Sequence, residues 1–290
     1  MRVTQSMLSN NMLRNLSGSY NKMGKLQDQL TTGKKVNRPS DDPVVAIKGM
    51  GYRMQVDKVE QYKRNLGEVH NLLDSTDDAL DKVGQVIIRI QELTVDAAND
   101  TKTQDDRNKI LQEIKQLREH VQDLANSKVG DKYIFSGTNT LTPLYNKATN
   151  QFSIATGVSN AISIEVFDGV SLDVTIDGKE LFEKVDTLFA DLETAISTSA
   201  NIDGQLGAID DVQNLVLETR ALIGARQNRA ELMDNRLNTQ EVISKKQMSE
   251  NEDIDYEKVI TEMITHESIH RAALSVGARI IQPSLVDFLR

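Results

Sequence analysis

Residues 66–97 read LGEVHNLLDSTDDALDKVGQVIIRIQELTVDA. Within this stretch Leu66, Val69, Leu73, Thr76, Leu80, Val83, Ile87, Ile90, Thr94 and Ala97 follow one another in alternating steps of three and four. That spacing lays a narrow apolar stripe along one face of a helix, and more than four unbroken heptads predict a long helix packed on other helices. The pattern extends in both directions. Toward the N-terminus, Met12, Leu16, Tyr20, Met23, Leu26 and Leu30 form a second narrow seam. Gly33 fits its stop, and Asp42 before Pro43 fits the cap and first turn of the next helix. Toward the C-terminus, a polar break at Asn99-Asp100-Thr101 precedes a helix carrying Ile110, Ile114, Leu117, Val121 and Leu124.

After Val129-Gly130 the period changes. Tyr133-Ile134-Phe135 reads as a strand, and Ile162–Val166 and Leu172–Ile176 alternate with period two, with Asp168-Gly169 and Asp177-Gly178 as turns. Helical spacing returns at Val185, Leu188, Leu192 and Ile196. After a polar connector, Val212, Val216, Thr219, Ile223, Ala230, Met233 and Leu237 continue it. An acidic break at 249–253 leads to a last helix that Pro283 ends. The expected fold is mainly α: a long helical bundle or coiled coil built by the N- and C-terminal segments, with a small β-rich domain inserted in the middle. Its divisions are an N-terminal helix and turn (1–42), the first part of a helical rod (43–130), the β insertion (131–182), the second part of the rod (183–248) and a C-terminal helix (249–290).

Composition agrees with slim helical packing. Aromatic residues make up 4% and Trp is absent, too little ring area for a thick globular core. The net charge of −9 argues against nucleic acid, whose phosphates need a basic face. Charge is also divided between the ends. Residues 1–40 hold seven Lys or Arg against the single acid Asp28, whereas 250–290 hold eight acids against four bases. The two ends can therefore attract each other or neighbouring molecules. With no cysteine, disulfides and thiolate chemistry are absent. The opening Met1-Arg2-Val3-Thr4-Gln5-Ser6 has no apolar stretch of the signal-peptide kind, and no run approaches a membrane span. The default location is cytoplasmic, and export would need another route.

Several motifs carry a resemblance. Leu30-Thr31-Thr32-Gly33-Lys34-Lys35-Val36-Asn37-Arg38-Pro39-Ser40-Asp41-Asp42-Pro43 is similar to the N-terminal signature of flagellins, through Gly33, Asn37, Asp41 and Asp42. Ile223-Gly224-Ala225-Arg226-Gln227-Asn228-Arg229 resembles a later flagellin segment through Asn228 and Arg229. Asp253-Ile254-Asp255-Tyr256 resembles the start of the flagellin terminal helix through Asp253 and Asp255. Within that superfamily three features resemble the hook-associated protein 3 branch: the opening residues, the ending Ser284-Leu285-Val286-Asp287-Phe288-Leu289, and Asp131-Lys132-Tyr133-Ile134-Phe135-Ser136-Gly137-Thr138. A minor filament flagellin is the alternative within the superfamily.

The resemblance implies a structural, non-enzymatic subunit joining hook to filament in the bacterial flagellum. It implies an extracellular location, reached by flagellar type III export without a cleaved signal peptide. The implied partners are the chain itself in a helical ring, a neighbouring hook-associated protein, filament flagellin, and an export chaperone that holds the C-terminal helix. No cofactor, nucleic acid or membrane insertion is implied. Leu16, Met23, Leu26, Leu30, Ile260, Met263, Leu274, Leu285, Phe288 and Leu289 are the expected polymerisation and chaperone surface.

One enzyme-like pattern competes. His266-Glu267-Ser268-Ile269-His270 matches H-E-x-x-H, where two histidines one turn apart bind zinc and the glutamate activates water. A zinc peptidase also needs a third ligand, and no histidine follows His270. Ordinary polar residues on an interface helix are the plainer reading, just as Asp253, Asp255 and Glu257 read better as caps than as a calcium loop. Gly49-Met50-Gly51 is too short for a phosphate-binding fingerprint. A cytoplasmic coiled-coil adaptor would share the helical pattern and stay inside the cell.

Overall fold

The computed structural model describes residues 5–99, 101–147, 151–152, 161–198 and 200–280. Six helices occur among them: α1 (Gln5–Thr32), α2 (Pro43–Ala98), α3 (Gln104–Ala125), α4 (Lys179–Thr198), α5 (Gln205–Glu252) and α6 (Tyr256–Ile280). Between α3 and α4 lie short strands in antiparallel pairs. These are β1 (Lys128–Val129) with β2 (Lys132–Tyr133), β3 (Tyr145–Asn146) with β4 (Gln151–Phe152), and β5 (Ser163–Phe167) with β6 (Val170–Asp173). The mainly α class with a β-rich insertion is thus the one the periodicity predicts. The chain forms two compact units, Met1–Lys58 with Glu241–Arg290, and Val59–Gln240.

In the second unit the long seam of α2 is the core. All ten residues from Leu66 to Ala97 named above are at most 1% exposed. Thr76 and Thr94 keep their places because each hydroxyl donates to the carbonyl four residues back, at 2.7 Å, so neither buried hydroxyl is left over. Ile114 and Val121 of α3, Val185, Phe189 and Leu192 of α4, and Ile209, Val216, Ile223 and Leu237 of α5 fill the same core. Ion pairs flank it. Arg220 reaches Asp77 and Asp81, and Arg118 grips Asp186 through both carboxylate oxygens at 2.8 and 2.9 Å.

The β5–β6 hairpin turns through Asp168-Gly169, with Gly169 at φ 71°, a conformation open to glycine. It is fixed to the helices of its own unit. Asn65 donates to the Glu165 carbonyl at 2.8 Å, Tyr62 stacks on Phe167, and the Arg236 guanidinium lies 3.9 Å from the Phe167 ring centre.

Four expectations shift. Ile134 and Phe135 are buried but extend no strand, because Phe135 turns inward to meet Phe182 edge-on at 5.0 Å. Residues 174–176, expected to be strand, lie outside β6, although Val174 and Thr175 are buried. Helix α4 begins at Lys179, where Asp177 accepts the Lys179 amide as a cap, rather than after residue 182. Finally, α5 runs through the acidic stretch to Glu252, so the break before α6 is only three residues long.

Truncating Ile90 to Ala should cost about 2–5 kcal/mol, because the side chain is fully enclosed. Val95→Ala, at a position 56% exposed, should stay within about 0.5 kcal/mol. Urea unfolding followed by helical circular dichroism compares the two, and equal losses would mean that the seam is not the core.

Candidate functional site

The first unit holds the chain's two ends together. Helices α1 and α6 lie side by side and antiparallel. Leu26 packs with Ile254 and Val259, and Leu30 and Met263 close over them. At the far end Met12 lies over Gly277, where a Cβ would come 2.7 Å from the Met12 sulfur. Among the less exposed positions of α6, Val259, Met263, His266, His270, Ala273 and Gly277 keep the alternation of four and three, with Glu267 beside them. Those of α1 do the same, but with Ser19 instead of Tyr20, which is 65% exposed. Two successive steps of four from Met12 would carry a residue about 80° around the helix, whereas Ser19 stays on the line. A polar residue at a seam position gave no apolar signal, and its aromatic neighbour did.

Leu16, Met23, Leu26, Leu30 and Met263 therefore face the chain's own partner helix. Ile260 and Leu274 point outward, 44% and 50% exposed. Leu285, Phe288 and Leu289 lie outside the described residues. Sequence reading passed over Leu13, Ile264, Ile269 and Val276, which are also exposed on these two helices, as is Tyr20.

The signature residues build the turn that makes this pairing possible. Gly33 ends α1 with φ 72°, its amide donating to the Gln29 carbonyl at 2.8 Å. Any side chain there would be strained and would meet the Tyr256 hydroxyl at 2.8 Å. Asn37 accepts from Thr32 at 2.7 Å, and Asp41 pairs with Lys25 at 2.9 Å, which holds the Asp41 carboxyl below its ordinary range. Asp42 accepts the amides of Val44 and Val45 at 3.0 and 3.1 Å and so caps α2. Asp255 caps α6 through the Lys258 amide, and Asp253 forms a backbone bridge with Lys34. Around that bridge the Lys35 amide donates to the Glu252 carbonyl at 2.7 Å and the Ile254 amide to the Gly33 carbonyl at 3.0 Å. Asn228 and Arg229 are not part of this assembly; they sit exposed on α5 in the second unit.

At the centre is a residue that sequence reading missed. The Glu252 side chain is only 8% exposed. Arg53 clasps it with two hydrogen bonds of 2.7 and 2.6 Å, and Lys34 adds a third at 3.1 Å. Gly49 leaves room for it, since a Cβ there would stand 2.6 Å from the carboxylate. Asn251, next to it, donates to the Val45 carbonyl at 3.1 Å. No local pattern announces a contact between residues 199 positions apart; the glycine at 49 inside a helix was the available hint.

The H-E-x-x-H pattern has a packing explanation. His266 and His270 are seam residues of α6, and the His270 ring lies 6.1 Å from that of Tyr20. Glu267 pairs with Arg271 on its own helix. Among the described residues no cluster of three or more His, Asp or Glu side chains is placed to hold a metal ion.

Hydrogen bonding from Arg53, then from Lys34, pulls the Glu252 carboxyl below its ordinary range against the opposing effect of burial. Its folded pKa is thus below the unfolded one, so its contribution is present above the usual carboxylate range and is lost as pH falls through the folded value. Protection of the Lys35 and Ile254 amides from hydrogen exchange should fall on acidification. In Glu252→Gln it should be weaker at neutral pH and nearly flat with pH. A variant profile that overlays the wild type would exclude this role.

Comparison with known proteins agrees with this architecture. Residues 3–140 match the bacterial flagellin N-terminal helical region, and residues 206–289 match the bacterial flagellin C-terminal helical region. Flagellar hook-associated protein 3 of Salmonella typhimurium is 26% identical over 300 residues, covering 94% of this chain and 95% of that protein. Bacillus subtilis flagellin is 27% identical over 297 residues, covering 97% of each. A structure assigned as a flagellar hook-associated protein, from Vibrio parahaemolyticus, superposes with a TM-score of 0.64 at 26% identity, covering 73% of this chain and all of that one. Both halves of the terminal pair lie within the matched regions, and the chain belongs to the bacterial flagellin family.

Proposed function

We propose that this chain is a structural subunit of the bacterial flagellum that joins hook to filament and assembles through its terminal helices. The observation that carries the reading is the match to a hook-associated protein 3 over nearly the full length of both chains. The terminal pair supplies the physical basis. Its seam is occupied from within, yet Ile260, Ile264 and Leu274 of α6 and Leu13 and Tyr20 of α1 remain exposed beside it. Apolar residues flanking a seam are the pattern of helices that pack in a bundle rather than as a simple pair, so helices of neighbouring copies are the natural cover for them.

On this reading the partners are further copies of the chain in a helical ring, a neighbouring hook-associated protein and filament flagellin. An export chaperone would cover the C-terminal helix before assembly. The location is extracellular, at the hook–filament junction, reached by type III export without a cleaved signal. The role is non-enzymatic, without cofactor, nucleic acid or membrane insertion. No helix among the described residues is long and apolar enough to cross a membrane. On this reading the segments at the two ends serve polymerisation and the parts between them give support.

Substitutions on α6 distinguish assembly from chemistry. Ile260→Asp and Leu274→Asp change exposed positions, so the isolated subunit should lose little stability, within about 1 kcal/mol. Swimming and filament attachment should nevertheless fail, because each would place a charge in an apolar contact between subunits. Glu267→Gln removes only a pair within one helix and should leave motility intact, whereas a zinc peptidase would lose its general base. Tolerated aspartates at both sites, or a non-motile Glu267→Gln strain with normal protein levels, would overturn the reading.

A further inference from the structure

The first turns of α2 carry two stripes. Val45, Gly49, Tyr52 and Val56 follow steps of four and three and are buried or half-buried. A second line, Val44, Ile47, Gly51, Met54 and Lys58, follows steps of three and four, roughly 150° away around the helix. Its apolar members are open: Val44, Ile47 and Met54 are 61%, 66% and 64% exposed. A Cβ on Gly51 would have no neighbour within 4 Å. Glycine inside a helix costs about 1 kcal/mol relative to alanine. At Gly49 the Glu252 carboxylate accounts for it, whereas at Gly51 nothing within the chain does. An apolar stripe with this spacing is the face on which another helix packs, and a glycine in it permits close approach. Lys58 ends the stripe and Lys48 lies beside it, both without a charge partner among the described residues.

A surface of matching chemistry belongs to the unit Val59–Gln240. A groove of about 740 Å³ runs between α4 and α5, with Leu188, Ala208, Val212 and Leu215 in its lining. Glu180, Glu183, Asp191, Asp211 and Glu218 also line it, against one base, Lys184. Glu180 holds Lys184 at 2.9 Å, and Lys179 holds Glu183 at 3.4 Å. Asp191, Asp211 and Glu218 have no charge partner among the described residues. Net charge agrees with this division. Residues 59–240 hold 30 acids against 18 bases, whereas the unit with both chain ends holds 16 bases against 13 acids.

We propose that the outward stripe of α2 docks in the α4–α5 groove of a second copy of the chain. Ile47 and Met54 meet the apolar lining, and Lys48 and Lys58 meet the free carboxylates. The arrangement is a helix laid in a groove, with apolar anchors giving the contact area and charges at its edge selecting the partner. Because the two surfaces differ, the contact is head-to-tail and repeats from copy to copy. The inference rests on the assembly reading above for its choice of partner and adds an interface outside the α1–α6 pair.

Cross-linking of the purified full-length protein tests it, since the chain has no cysteine of its own. Gln55→Cys lies beside the stripe and Asn214→Cys lines the groove, both at exposed positions. In an equimolar mixture a short bis-maleimide should join these two variants about tenfold faster than it joins Gln55→Cys to Leu141→Cys, which is 80% exposed and outside the groove. Lys48→Glu with Lys58→Glu, added to the Gln55→Cys chain, should lower the rate about tenfold by setting like charges together. Asp211→Lys with Glu218→Lys, added to the Asn214→Cys chain, should restore it. All four charged positions are exposed, so helical circular dichroism should not change. The proposal is overturned if the stripe and groove variants link no faster than the control pair, or if the reversed groove fails to recover the reversed stripe. Failure of the flagellar reading would look different: a specific link in a protein located away from flagella upholds the interface and refutes the junction role.

Discussion

The carboxylate of Glu252, enclosed between Arg53 and Lys34, is the contact on which the arrangement of the two chain ends depends. Three segments distant in sequence converge on it: the turn after α1, the first turns of α2 and the end of α5. Only then can the Lys34–Asp253 bridge form and α6 start at Asp255 beside α1. Burying a charge is costly, and a buried ion pair often contributes little net stability. Breaking one is severe, because the remaining partner has lost its solvent without compensation. The residues around Glu252 are accordingly specialised for geometry. Gly49 clears space for the carboxylate, and Gly33 takes a backbone conformation that an L side chain would resist. The contact thus selects one way of returning the chain.

The two units use different physics. The unit from Val59 to Gln240 is held by a continuous aliphatic core, in which ten α2 side chains are enclosed and few rings are needed. The unit containing both ends has a small apolar cluster, a dense set of turn and cap hydrogen bonds, and exposed apolar residues on its helices. A subunit that must be stable alone and adhesive at its ends requires such a division. Large buried area gives stability, whereas a thin seam with apolar flanks gives surfaces whose best packing is with other molecules.

Much of this was legible in the residues, and the failures have physical causes. The α2 seam was legible because burial on one helix face forces a period, and the caps at Asp42 and Asp255 because few residue types satisfy free amides. Gly33 was legible for the same local reason. Tyr20 was misplaced because an aromatic ring beside the seam outweighs a serine in it when only hydrophobicity is read. The extension of α5 through Ser249–Glu252 was hidden by its polarity, since Asn251 and Glu252 turn toward Val45, Lys34 and Arg53 rather than forming an apolar core, and Ser249 and Glu250 stay exposed. The clasp around Glu252 had no local signature, because its partners come from opposite ends of the chain. The outward faces of α6 were half legible: Ile260 and Leu274 were expected as contact residues, while Ile264, Ile269 and Val276 emerged only once the seam was located.

Position in the assembled organelle tests the central claim most directly. The chain has no cysteine, so a single Leu141→Cys substitution, at a position 80% exposed and remote from both terminal helices in sequence, can carry one dye. Cells swimming with this labelled copy, with hook and filament stained in other colours, would be imaged by fluorescence microscopy. The account predicts one focus per flagellum, at the boundary between hook and filament. Dye spread along the filament, or retained inside the cell in a motile strain, would contradict it.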